Sequence, residues 1–358
     1  MSLITVERDS PQHKRLRYAG LAALVLLAVI VPFFFGPFRV SQFTLALVYA
    51  VAVLGLNLLV GYSGQISLGH GAFFALGAYT CAILLDRTGV HYLLTIPAAA
   101  LVCFAAGLAL GLPALRLRGL YLALVTLAIA IATPVLLRRF DGLTGGSQGL
   151  SVPQPTAPGW SGLEDDQFLY FLALVVAVPT FWFAANLVRR PVGRALIAIR
   201  DDETSAKTMG VNLASFKTRT FGLSAAYAGV AGSLFVFNNG FVAPESFSLV
   251  VSFSFLAAIV VGGLATVAGA LFGALFIVFV PVWSSDVNDA LSGVIYGAAL
   301  ITCMYVFRGG IMGLLRSAFA RVVEVEGSTK GRSDDGVEEV ADAGADRRAG
   351  AGAGSMRS

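Results

Sequence analysis

The chain has 358 residues, of which 57% are hydrophobic and only 13% charged, with a mean hydropathy of +0.79 and a net charge of +4. A soluble chain carries about 25% charged residues, so these few charges cannot furnish a water-facing surface, and a soluble enzyme and a nucleic-acid binder are both excluded. The charges are also segregated: Asp, Glu, Lys and Arg are absent from 40–85, 88–115, 119–137, 167–188, 220–244, 246–285 and 290–307.

A helix needs about 20 mostly apolar residues to cross a bilayer core. That requirement predicts spans at 18–36, 41–60, 67–85, 92–115, 119–137, 167–187, 219–240, 249–265, 266–283 and 289–307. The fold class is therefore all-α: a polytopic membrane protein of about ten transmembrane helices, one or two of them broken or half-length. His13, Lys14, Arg15 and Arg17 precede the apolar run Tyr18–Phe35, which looks like the start of a signal peptide. The run is too long for a typical signal core and no A-x-A site follows it, so it is read as a retained first span. The apolar run from Leu249 to Trp283 would make a single helix about 52 Å long, against a core of about 30 Å. It must break, and Gly262-Gly263 is the place.

With the N-terminus in the cytoplasm, ten spans put sixteen Lys and Arg residues from Arg8 to Arg321 on the inner side and only Arg39, Arg87, Arg138 and Arg139 on the outer side. This obeys the positive-inside rule and predicts a cell-membrane protein with both termini cytoplasmic. The expected domains are an N-terminal segment (1–17), a transmembrane domain (18–310) with an inner loop at 188–218, and a largely disordered polar tail (311–358). Gly69–Gly77 and Ala268–Leu275 share a rhythm of small residues. That rhythm is either generic helix packing in lipid or the trace of an inverted repeat.

No GxxxxGK[ST], no HExxH and no paired intramembrane carboxylates occur, and Cys81, Cys103 and Cys303 form no CxxC. No metal, no cofactor and no catalytic residue is therefore expected, and the chain has no ATP site of its own. The most polar intramembrane stretch runs from Asn57 through Gly61, Ser63, Gly64, Gln65, Ser67, Gly69 and His70 to Gly71. Its four glycines cost a continuous helix about 1 kcal/mol each relative to Ala. Broken backbone at membrane depth is tolerated only inside protein or beside a cavity. The segment either lines a solute pathway or makes a tight turn, and His70 is either a pathway ligand or a hydrogen-bonded core residue. Gly61-Tyr62-Ser63-Gly64 also fits the GxSG pattern of intramembrane serine proteases. On one helix His70 would lie about 10.5 Å from Ser63 along the axis, whereas a serine and its base need about 3 Å.

The inner loop carries Arg194, Arg200, Asp201, Asp202, Glu203, Ala206 and Gly210. Asp201 or Asp202 can cap a short helix that Gly210 ends, giving two short helices. Ala195, Leu196 and Ile199 share an apolar face, which needs cover from the protein's own helix ends or from a partner subunit.

Leu56 to Phe73 (LNLLVGYSGQISLGHGAF) resembles the signature of branched-chain amino acid ABC importer permeases. Gly119–Leu127, which includes Thr126, is similar to the family's mid-chain span. Thr144-Gly145-Gly146 with Gly149-Leu150 resembles its outer loop, in the LivM-like form, and Gly193 to Gly210 resembles its cytoplasmic coupling loop. The similarity covers roughly residues 40–310. It implies a transport subunit working with a second homologous permease, two ATP-binding subunits, an external solute-binding protein and membrane lipids. It also implies pathway roles for Asn57, Ser63, Gln65, Ser67, Gly69, His70 and Thr126. Thr144, Gly145, Gly146 and Gly149 would face the binding protein, and the inner-loop residues would meet the ATPase. A related importer for urea, short amides or a sugar is the alternative, followed by an ATP-independent carrier.

Overall fold

The computed structural model describes residues 4–5, 28–115, 119–159, 161–288, 291–306 and 309–324. Most of the expected N-terminal segment and of the first predicted span, and the tail beyond 324, lie outside them. The chain divides into two compact units, 24–317 and the termini 1–23 with 318–358. In the terminal unit, strand β1 (Ile4–Thr5) pairs in parallel with a strand at Val323–Glu324.

The larger unit is helical. Residues 28–34 of the first predicted span are helical. Pro37 then opens α1 (Pro37–Asn57), where its missing N–H costs nothing, and a π-turn (Leu58–Tyr62) ends the helix. There follow α2 (His70–Thr88), α3 (Tyr92–Ala114), α4 (Leu120–Arg139) and α5 (Asp165–Arg189). Glu164 and Gln167 form a reciprocal cap at the start of α5. Two short helices, α6 (Pro191–Asp201) and α7 (Glu203–Thr208), precede α8 (Leu213–Asn239). The chain continues through α9 (Leu249–Gly262), α10 (Val267–Val287), α11 (Ser292–Val306) and α12 (Gly310–Val322).

Among the described residues, six helices are long and apolar enough to cross a membrane: α1 with its π-turn, α3, α4, α5, α8 and α10. α9 and α11 are apolar but shorter. Burial separates centre from rim. The most apolar windows of α1 and α8 are 72% and 83% buried, against 22–28% for α3, α4 and α5. The outward faces of the rim helices carry exposed Leu, Val and Trp, as a lipid-facing surface requires. α8 packs against α1, α2 and α3, and α10 packs against α1 and α9. The close approach of α8 to α2 depends on small residues: a Cβ on Gly232 would stand 2.6 Å from the Ala78 nitrogen. The predicted break in 249–283 falls where expected, with α9 ending at Gly262 and Gly263 at φ +115°.

α5 has 25 residues, so its ends stand about 37 Å apart. The Thr144–Gly149 turn precedes it and α6–α7 follow it, which places these two features at opposite ends of the bundle.

Candidate functional site

The backbone between α1 and α2, residues 58–69, is irregular. The π-turn and the stretch after it leave main-chain groups outside the regular helix ladder, and side chains and other main-chain groups satisfy them. Leu68 N donates to Thr126 Oγ1 at 2.9 Å, Gly71 N to Ser252 Oγ at 3.1 Å, and Gln65 N to the Leu59 carbonyl at 3.1 Å. Ser63, Gln65, Ser67 and Thr126 are all buried. A Cβ on Gly69 would stand 2.6 Å from the Thr126 carbonyl oxygen.

A second break, Gly263–Thr266 between α9 and α10, lies directly against the first. Asn57 is fully buried and joins the two: its Nδ2 donates to the Thr266 carbonyl at 2.8 Å, and its Oδ1 accepts from Ala265 N at 3.0 Å. Ala265 is the only non-glycine with positive φ among the described residues (φ 55°). Gly61 permits the approach, since a Cβ there would lie 2.6 Å from Ala265 N. The start of α12 closes the other side, where a Cβ on Gly310 would stand 2.5 Å from Gly263 Cα.

Two links run from this core to the short helices α6 and α7. Arg200 Nη1 donates to the Gly61 carbonyl at 3.0 Å, while its Nε and Nη2 hold Asp201 Oδ1 at 3.0 and 2.9 Å. Gly64, at φ +70°, lies under the Arg200 side chain. The second link passes from Glu203, ion-paired with Lys217 of α8, through the Lys217 carbonyl to Gln65 Nε2 at 3.3 Å and on to Ser63 Oγ at 2.7 Å. Asp202 is the cap of α7, accepting from Thr204 N at 2.7 Å and Ser205 N at 3.1 Å. Those N–H groups, Ser205 first, hold its carboxyl below the usual carboxylate range. Ala206 is the buried residue of α7, and Gly210 stands at φ +82° with open space around it.

Other predicted residues find more local partners. His70 is buried, with Nε2 2.8 Å from the Ala52 carbonyl. Ser63 is paired with Gln65 and not with His70, so the GxSG segment holds no serine–histidine pair. The apolar face of α6 is covered by the chain itself, with Leu196 and Ile199 each 1% exposed, while Arg194, Lys207 and Met209 face outward. At the other end, Thr144 Oγ1 donates to the Phe140 carbonyl at 2.9 Å. Gly145, Gly146 and Gly149 adopt positive φ so that the turn can lie against Val242 and Ala243. Strand β2 (Leu150–Ser151) pairs antiparallel with β3 (Phe241–Val242) beside it, and the turn presents Ser147 and Gln148. Sequence reasoning passed over Ser252, Ala265, Thr266 and Lys217. Only the neighbouring Gly262-Gly263 pair signalled that anything irregular stood opposite Asn57.

An all-α, multi-pass bundle with broken helices at its core, and with short helices hooked to those breaks, is the architecture of a membrane permease. A family model described as "Branched-chain amino acid transport system / permease component" matches residues 38–304, and the chain belongs to that family. It is 37% identical to the high-affinity branched-chain amino acid transport system permease protein LivM of Escherichia coli, over 83% of this chain and 75% of the relative. It is 26% identical to LivH of Salmonella typhimurium, over 75% and 92%. It is also 26% identical to BraD of Pseudomonas aeruginosa, over 76% and 94%. No solved structure matches the chain.

Proposed function

We propose that this chain is the membrane-spanning permease subunit of an ATP-driven importer, translocating branched-chain amino acids delivered by an external solute-binding protein. It works in the cell membrane with a second homologous permease and two ATP-binding subunits. It crosses about ten times, with both termini cytoplasmic and α6–α7 on the inner side. The observation that carries the reading is the pair of links from α6–α7 to the broken helices: Arg200 to Gly61, and Glu203–Lys217 to Gln65. A subunit without an ATP site needs its motion supplied from outside. Here a displacement of two exposed short helices acts directly on the backbone of residues 61–65, and through Asn57 on the second break. The exposed Ser147 and Gln148 turn meets the binding protein.

The test is leucine uptake into vesicles holding this chain, its partner subunits and the binding protein. Uptake is expected to require ATP and every subunit. Full uptake by this chain alone, without ATP, overturns the proposal.

A further inference from the structure

The end of the bundle that carries the Gly145–Gly149 turn also holds a cleft of about 400 Å³ between α1, α8 and α10. That is within the range of about 300–1,000 Å³ typical of small-molecule sites. We propose that this cleft receives the transported amino acid before it reaches the broken helices, a reading that rests on the transport function above. The cleft lies opposite α6–α7: Asn238 and Asn239 end α8, and the Asn238 carbonyl is tied by Gln154 Nε2 at 2.8 Å to the segment following β2.

Its lining has two characters. Leu45, Ile277 and Val278 make an apolar wall, suited to a branched aliphatic side chain. Ser41, Gln42 and Asn238 supply amide and hydroxyl groups to the same cleft, with Ser41 Oγ 3.3 Å from Asn238 Oδ1. Next to the lining residue Gln42, Arg39 Nη1 reaches Gln42 Oε1 at 3.4 Å, and Arg39 Nη2 and Asp286 Oδ2 stand 4.0 Å apart. Both contacts are long, and an exposed pair of this kind contributes little by itself. A zwitterion matches it: the guanidinium can take a carboxylate through two parallel N–H groups, and the Asp286 carboxylate can take the ammonium. A sugar or urea has neither charge to offer. The floor is Tyr49, whose ring meets Phe74 and Phe255 edge-on at 6.0 and 5.3 Å, with Phe255 against His70 below. Eight residues of α1, about 12 Å, separate Tyr49 from the Asn57 clasp, so this aromatic layer parts the cleft from the broken segment.

The native cysteines are buried, which lets a single introduced thiol report on the cleft. In Ser41→Cys, within the purified complex of permeases and ATP-binding subunits, alkylation by a small maleimide is followed while leucine is titrated. The binding protein is left out so that it cannot cover the cleft itself. At ten times its half-protecting concentration, leucine is expected to slow alkylation about tenfold by mass action. The same leucine concentration should give no protection once Arg39→Gln is added. Val278→Cys gives the same readout from the opposite wall if Ser41→Cys does not co-purify with its partners. Alkylation indifferent to leucine, in a complex that imports leucine, overturns the cleft and leaves the transport reading standing. A wild-type complex that imports no branched-chain amino acid overturns the transport reading, and this inference with it.

Discussion

Asn57 joins the two breaks, because its amide supplies a donor to the Thr266 carbonyl and an acceptor to the Ala265 N–H. Asn57→Leu takes the acceptor from the Ala265 N–H and one of the donors from the Thr266 carbonyl. Each buried group left unpaired costs about 1–3 kcal/mol. The expected outcome is a marked fall in the thermal midpoint of the purified complex, together with loss of uptake. Thr80→Val, which removes only a back-bond from a helix hydroxyl to the Leu76 carbonyl, should leave the midpoint nearly unchanged. Equal effects of the two variants would show that the clasp carries no special weight. Gly69 needs a similar distinction. A bulky residue there reads, from sequence, as a plug in a solute path. Its Cβ would instead meet the Thr126 main chain at 2.6 Å, so Gly69→Leu is expected to reduce recovery of the assembled complex. Full assembly with blocked uptake would return Gly69 to the pathway.

At the scale of the element, α6 and α7 are tied to the irregular segment at two points, Arg200 to Gly61 and Glu203–Lys217 to Gln65. Arg200→Gln removes the charge-assisted bond to the Gly61 carbonyl and frees Asp201, while leaving Leu196 and Ile199 to hold α6 in place. ATP hydrolysis is then expected to continue while uptake per ATP falls by about tenfold, the equivalent of one such bond. Proportional loss of both activities would mean that Arg200 serves assembly and not coupling. Glu203 can be read from sequence as an outward contact for the ATPase. Its pairing with Lys217 gives a sharper test: Glu203→Lys sets like charges together, and adding Lys217→Glu should restore uptake if the contact lies within this chain. Failure of the double variant to rescue, with the fold intact, would assign Glu203 to the partner subunit. The two short helices, the Asp cap and the Gly210 stop were legible because capping is a local code of a few residues. What covers the apolar face of α6 was not, since that depends on the π-turn and α8, which sequence spacing does not bring together.

For the whole molecule, the order of the helices and both breaks could be read from where charges vanish and glycines cluster. The clasp could not, because Asn57 and Thr266 are 209 residues apart and nothing local marks them as partners. The same logic explains the cleft: Ser41, Asn238 and Ile277 come from three helices, and each looks unremarkable in its own apolar run. The membrane orientation is the remaining global property, and it rests on arithmetic and geometry together. The Thr144–Gly149 turn and α6–α7 sit at opposite ends of α5, and the side holding α6–α7 carries the excess of Lys and Arg. Ser147 and Thr204 are both exposed, one at each end. In intact cells, a membrane-impermeant maleimide is therefore expected to label Ser147→Cys and to spare Thr204→Cys until the membrane is opened. The buried native cysteines keep the background low. Labelling of both from outside, or of Thr204→Cys alone, would invert or break the proposed topology. It would also remove the inner position that α6 and α7 need to meet an ATP-binding subunit, because charge bias and the docking role predict the same side for independent reasons.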